Sequence, residues 1–88
     1  MASFSIHFKP SIEKDLRHLS RDLVGRAMKK IEDLKSDPFP SQSIKIAGSE
    51  RLYRLRVGDY RIIYEVDIEG REITIHYIRP RNVAYCNS

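Results

Sequence analysis

Cysteine is almost absent from this chain, and long apolar runs are missing altogether. Cys86 is the only cysteine, so an intramolecular disulfide is excluded and nothing indicates an oxidising compartment. A lone thiol also lacks the positioned base that a catalytic cysteine needs. No stretch approaches the roughly 20 apolar residues of a membrane span, and the N-terminal apolar run is too short for a signal peptide. We therefore expect a cytoplasmic protein without a membrane partner.

Spacings typical of metal ligands are missing as well. His7 and His18 fall in different predicted elements, and the single cysteine is remote from both, so no pattern suits a metal site. We expect neither a metal nor any other cofactor.

What the chain does have is an excess of positive charge. Sixteen Lys and Arg residues against twelve Asp and Glu residues give a net charge of +4 and a pI near 9.4. That sign favours nucleic acid, an anionic surface or an acidic protein as partner. With 88 residues, 41% of them hydrophobic, residues 1–88 are expected to form one compact domain.

The first half of the chain predicts one strand and two helices. Apolar residues alternate over Phe4–Phe8, which indicates a strand. Helical spacing follows in a short segment after Ser11, its expected N-cap, and in a longer segment at about 21–35. Prolines at 38 and 40 end the second helix.

The second half predicts a β-meander. A short strand could form at Ile44–Ile46, and three strands rich in Ile, Val, Tyr and Leu follow at Leu52–Val57, Tyr60–Asp67 and Glu72–Arg79. Short turns at Gly58-Asp59 and Glu69-Gly70 require antiparallel neighbours. The expected fold is therefore α+β with the order β-α-α-β-β-β, in which two N-terminal helices cover one face of a mostly antiparallel sheet.

The two turns set a register for the last three strands. They pair Arg56 with Arg61, and they place Ile62 opposite Tyr77. One face then collects apolar and aromatic residues, and we expect it to lie beneath the helices. Its members are Tyr53, Leu55, Val57, Tyr60, Ile62, Tyr64, Val66, Ile73, Ile75 and Tyr77.

The opposite face gathers arginines at one end and acids at the other. It carries Arg54, Arg56, Arg61, Ile63, Glu65, Asp67, Thr74, His76 and Ile78, with Arg79 and Arg81 starting the tail beside Arg61. Like charges directly opposite each other destabilise a sheet by roughly 0.2 to 1 kcal/mol. These arginines either contact neighbouring side chains on a solvated face, or they converge to bind phosphates bidentately. For the cluster as a whole we favour phosphate binding.

The segment Leu52–Val66 resembles the RelE/ParE superfamily of bacterial and archaeal toxins. It reads Leu-Tyr-Arg-Leu-Arg-Val-Gly-Asp-Tyr-Arg-Ile-Ile-Tyr-Glu-Val, and the predicted element order is also that of the family. The Gly-Asp-Tyr-Arg-Ile-Ile-Tyr signature occurs both in RelE-like ribonucleases and in ParE-like gyrase poisons. The signature alone does not choose between these branches.

The resemblance implies an activity and a set of site residues. RelE-like toxins enter the ribosomal A site and cleave mRNA without a metal, by attack of a ribose 2′-OH on the adjacent phosphate. Carried onto this chain, the implied catalytic residues are Arg61, Arg81 and Tyr85, with Arg79 as the alternative to Arg81. The implied RNA-binding residues are Arg54 and Arg56, and the arginine cluster adds Arg79 to them.

The general base is less well defined. Well-known family members have lysines at the positions of Arg54 and Arg56, and an arginine stays protonated at any relevant pH, so neither can readily accept a proton. That leaves Tyr85 or proton transfer assisted by the substrate, with His76 as the other candidate base on the same face.

Three functions follow from these observations. The first is a ribosome-dependent mRNA endoribonuclease that has a RelB-like cognate antitoxin and takes the ribosome and mRNA as partners. The second is a ParE-like inhibitor of DNA gyrase. The third is a non-catalytic RNA-binding or ribosome-binding module whose basic face only grips phosphates.

Overall fold

Two helices and a five-stranded sheet make up residues 3–80, the part of the chain that the computed structural model describes. In chain order the elements are β1 (Ser5–Phe8), α1 (Ile12–Arg17), α2 (Arg21–Asp33), β2 (Ile44–Lys45), β3 (Leu52–Val57), β4 (Tyr60–Asp67) and β5 (Glu72–Pro80). The strands lie in the order β1-β5-β4-β3-β2. β1 runs parallel to β5, and the other described neighbours are antiparallel. The predicted α+β fold is confirmed.

The two helices begin in different ways. Ser20 has an extended backbone, and its hydroxyl oxygen accepts the Leu23 N–H at 3.2 Å, which caps α2. Ser11 was expected to cap α1 in this way, but it has helical dihedral angles and its side chain makes no capping hydrogen bond. The N–H of Ile12 instead bonds to the carbonyl of Lys9 at 3.0 Å. Within residues 3–80, neither helix has the length and apolar character needed to cross a membrane.

The core lies between the sheet and the helices. Ala27 and Ile31 of α2 and Leu34 after it are at most 2% exposed, and they pack with the buried face of the sheet. Burial of each large aliphatic side chain contributes about 1.5–3 kcal/mol. Among the described residues, none with a charged side chain falls in the buried class.

Aromatic side chains attach the segment between α2 and β2 to the sheet. The Tyr53 ring lies 5.0 Å from the Phe39 ring and 5.9 Å from the Tyr64 ring. The Tyr64 hydroxyl donates a hydrogen bond to the Pro38 carbonyl at 2.9 Å. Burial raises the pKa of this hydroxyl above its usual value, partly opposed by a hydrogen bond with Ser43. These contacts fix the path of the chain toward β2.

The hairpin between β3 and β4 has the predicted register. Val57 pairs with Tyr60, and Arg56 pairs with Arg61. Gly58 is the first central residue of the turn and has φ +58°, as a type II′ hairpin turn requires.

The register between β4 and β5 departs from the prediction in its second half. Tyr64 pairs with Ile75 as expected, but the register then shifts, so that Ile63 faces Tyr77 and Ile62 faces Ile78. One residue of β5, His76, is therefore the extra residue of a β-bulge.

The bulge overturns two expected placements. Tyr77 was placed in the core and Ile78 on the exposed face, whereas Ile78 is 2% exposed and Tyr77 is only half-buried. The physical reason lies in which side chains of β5 alternate toward the core and which toward solvent. A regular ladder would turn Ile78 to solvent and the Arg79 guanidinium toward the core, and both changes are unfavourable.

Candidate nucleic-acid interface

Three arginines form a row across three neighbouring strands. Arg56 pairs with Arg61 across β3 and β4, and Arg61 pairs with Arg79 across β4 and β5. Neighbouring strands are about 4.8 Å apart, so the backbone positions of the three arginines lie within about 10 Å. Arg79 was expected at the end of the last strand, where the tail begins. It lies within β5, and the bulge brings it opposite Arg61.

Contacts made by β5 hold the Arg79 end of this row in place. The guanidinium of Arg79 lies over the Tyr77 ring, with Cζ 4.2 Å from the ring centroid, a cation–π arrangement. The carboxylate of Asp15 in α1 accepts the N–H of Ile78 at 3.0 Å. Because β1 ends opposite Ile75, this carboxylate occupies the edge of β5 where no neighbouring strand follows.

The predicted arginines differ in exposure. Arg54 lies two residues along β3 from Arg56 and therefore on the same face; Arg56 is exposed, whereas Arg54 and Arg61 are partly buried. The Nη1 atom of Arg61 is shielded from solvent. The structure thus brings Arg54, Arg56, Arg61 and Arg79 onto one face, and Arg81 and Tyr85 lie outside the described residues.

A groove of 670 Å³ runs from the arginine-bearing strands to helix α2. Five of its lining residues are basic, and none of those described is acidic. The lining residues are Arg26, Lys30, Gln42, Ile44, Arg54, Arg56, Gly58 and Arg61.

Sequence reasoning missed Arg26 and Lys30 of α2 as residues of this groove. Their i, i+4 spacing on one side of the apolar stripe was the available signal. The spacing does not reveal which flank of the helix faces the arginines, because that depends on how α2 crosses the sheet.

The helix wall of the groove lies close to the β3–β4 turn. A Cβ atom added at Gly58 would lie 3.8 Å from both Nη atoms of Arg26 and 3.4 Å from Leu23 Cδ2. The Arg26 guanidinium therefore lies close beside the turn. Lys30 Nζ, one helical turn further along, donates to Gln42 Oε1 at 3.0 Å.

Acidic residues occupy the other end of the exposed face. The Glu65 carboxylate is 3.0 Å from His76 Nε2 and 3.8 Å from Arg51 Nη1. Glu65 is four residues from Arg61 along β4, which corresponds to about 13 Å. His76, the alternative base, is thus held at the acidic end, away from the arginine row. Across residues 3–80, no three His, Cys, Asp or Glu side chains are grouped so that they could hold a metal ion.

Comparisons with known proteins agree on one family. The chain matches the model of the ParE toxin of type II toxin–antitoxin systems, parDE, over residues 6–85. It is 32% identical over 87 residues to the candidate toxin RelE1 of Methanocaldococcus jannaschii, an alignment that covers 96% of this chain and 97% of that protein.

Solved structures give the same result. The RelE–RelB complex from Pyrococcus horikoshii contains a chain that is similar with a TM-score of 0.81 and 30% identity, covering 92% of this chain and 98% of that one. The RelB–RelE antitoxin–toxin complex from Methanococcus jannaschii gives a TM-score of 0.72 and 29% identity, covering 85% and 89%. Sequence and fold together show that this chain belongs to the RelE/ParE family of toxins of type II toxin–antitoxin systems.

Proposed function

We propose that this chain, a toxin of a RelBE-type toxin–antitoxin system, is an endoribonuclease that cleaves translated mRNA in the ribosomal A site. The row of Arg56, Arg61 and Arg79 carries the proposal. Folding alone disfavours like charges at directly paired positions, whereas a phosphodiester bound between them would offset the repulsion. The full-length similarity to RelE1 further supports this branch over the gyrase-inhibiting one.

The proposed reaction is attack of the ribose 2′-oxygen on the adjacent phosphorus. The P–O5′ bond breaks, a 2′,3′-cyclic phosphate forms, and the leaving 5′-oxygen gains a proton. Arg61 and Arg81 stabilise the negative charge that develops on the phosphoryl oxygens and the leaving oxygen. Arg54, Arg56 and Arg79 bind and orient the RNA backbone.

Proton removal from the 2′-OH is assigned to Tyr85 or to a phosphate oxygen of the substrate. The arginines act as fixed positive charges, because a guanidinium does not give up its proton at neutral pH. A tyrosine can accept this proton only in its ionised form, which nearby positive charge favours in general.

We further propose a RelB-like antitoxin as partner, in a protein that acts in the cytoplasm on ribosomes and mRNA. The similar chains from P. horikoshii and M. jannaschii were solved as complexes with RelB. Phe8 and Met28, 42% and 38% exposed, line adjoining grooves between β1 and the helices. They would offer an apolar surface to an amphipathic antitoxin segment.

The test is mRNA cleavage in a translating extract, followed by primer extension and analysis of the cyclic phosphate. We expect Arg61→Ala to reduce cleavage by about 10² to 10³-fold while the circular dichroism spectrum stays unchanged. Arg51→Ala is the matched control, because Arg51 pairs with Glu65 at the acidic end and the loss of charge is the same. We expect the control to cleave at nearly the wild-type rate.

Other outcomes would identify the alternatives. Undiminished cleavage by Arg61→Ala would contradict the assigned site. Inhibition of DNA gyrase supercoiling without RNA cleavage would indicate the ParE-like activity. Salt-sensitive RNA binding without a cyclic phosphate product would indicate a non-catalytic binding module.

A further inference from the structure

We infer that Arg26 and Lys30 of α2 form a second phosphate-binding wall, which holds the RNA backbone beyond the reacting phosphate. The identity of the ligand rests on the proposed function, and its location rests on the groove. The two residues face Arg54, Arg56 and Arg61 across the same 670 Å³ space.

The position of Arg26 makes the two walls continuous. Its Nη atoms lie 3.8 Å from the place where a Gly58 Cβ would be, so the guanidinium is beside the turn that joins β3 to β4. The Arg56–Arg61 pair lies immediately before and after the four-residue segment that forms this turn. An RNA strand that leaves Arg61 over the edge of β3 therefore meets Arg26 next, and Lys30 one helical turn further along.

The existing partners of these residues leave the helix wall positively charged. Arg26 Nη1 is 3.6 Å from Asp22 Oδ2, but these side chains are 55% and 82% exposed, so water screens the pair. Lys30 donates to the neutral amide oxygen of Gln42, which cancels no charge. A phosphate can replace these contacts at little cost in free energy, because water can solvate the Asp22 and Gln42 side chains again.

The lining favours a nucleic-acid backbone over a protein segment. Ile44 is the single large apolar side chain among the described lining residues, and it lies 51% exposed at one edge. An amphipathic protein segment would need a broader apolar surface for its own apolar side. Five cations and one amide suit a polyanion whose phosphates are contacted independently of base sequence.

The experiment compares two double variants of the full chain. Arg26→Ala/Lys30→Ala removes the helix wall. Arg21→Ala/Lys29→Ala removes one arginine and one lysine from exposed positions of the same helix that do not line the groove. Both variants lose the same charge, so a difference between them reports position.

The measured quantity is binding of a single-stranded RNA whose 2′-hydroxyls are methylated, by fluorescence anisotropy over a series of NaCl concentrations. The slope of log K against log salt is negative, and each lost phosphate contact reduces its magnitude by about 0.7. This magnitude should therefore fall by about 1.4 in the groove variant and by much less in the control. Changing the RNA sequence should leave this difference unchanged.

Several results would overturn the inference. Equal slopes for the two double variants would do so, as would the absence of salt-dependent RNA binding by the unaltered chain. If the groove variant bound RNA like the unaltered chain but lost binding of an acidic peptide, the wall would be assigned to a protein partner instead. Ribosomal cleavage is measured separately: a wild-type chain that binds RNA through this wall without cleaving it contradicts the proposed function and leaves the inference standing.

Discussion

Tyr64 is a fully buried side chain that brings a hydroxyl into the core. That hydroxyl donates to the Pro38 carbonyl in a partly buried hydrogen bond, and a typical intramolecular hydrogen bond contributes about 0.5–1.5 kcal/mol. Tyr64→Phe retains the ring and leaves the carbonyl without this donor. We therefore expect the free energy of unfolding to fall by about 1 kcal/mol at pH 7, measured by urea denaturation.

The same variant predicts a difference at alkaline pH. Burial raises the pKa of Tyr64 in the folded state, so folding favours the protonated phenol. That stabilisation is fully present below the unfolded pKa of about 10 and is lost as pH rises from there through the folded pKa. The wild type should therefore lose stability more steeply above pH 10 than Tyr64→Phe does. Parallel stability curves for the two proteins would contradict the shift.

The residues that sequence reasoning located correctly are those fixed by a local turn. Gly58 and Asp59 determine the two-residue hairpin, and that turn alone sets Arg56 opposite Arg61. Arg26 and Lys30 could not be placed in this way. The approach of Arg26 to Gly58, and the position of Lys30 in the groove, depend on how Ala27 and the other core residues of α2 pack on the sheet.

At the scale of elements, β5 shows how burial overrides a regular ladder. The alternation in the sequence breaks where Tyr77 is followed by Ile78, but a local pattern does not tell which of the two enters the core. Ile78 enters the core because its burial also leaves Arg79 turned outward. The consequence is that His76 has no paired residue on β4.

This bulge predicts an unusual tolerance to deletion. Removing a residue from a strand normally turns every later side chain to the other face. Deleting His76 should instead give a regular ladder that retains Ile78 in the core and Arg79 opposite Arg61. We expect a loss of about 1 kcal/mol, from the hydrogen bond with Glu65.

Deletion of Thr74 is the matched control, because Thr74 also lies on the exposed face of β5 but opposite Glu65 in the regular part of the ladder. This deletion turns Ile75, which is 0% exposed, away from the core, and it should cost several kcal/mol. Thermal denaturation measures both variants. Equal destabilisation by the two deletions would contradict the bulge assignment.

At the scale of the whole molecule, we expect stability and the proposed RNA affinity to depend on charge in opposite ways. The described core contains no charged residue, and the ion pairs in this part of the chain join partly exposed side chains, each contributing about 0–1 kcal/mol. Against these stand a net charge of +4 and the row of Arg56, Arg61 and Arg79. The basic surface thus opposes folding, and it would assist the proposed binding of RNA.

Raising the salt concentration should therefore change stability and RNA affinity in opposite directions. Raising NaCl from 0.1 to 1 M shortens the screening length from about 10 Å to 3 Å, less than the span of the arginine row, so the repulsion falls and Tm should rise by a few degrees. RNA affinity should fall steeply over the same range. Arg61→Gln removes the central charge, and its Tm should respond less to salt than that of the wild type. A Tm that falls with salt, or that responds equally in both proteins, would show that the row is not under electrostatic strain in the folded state.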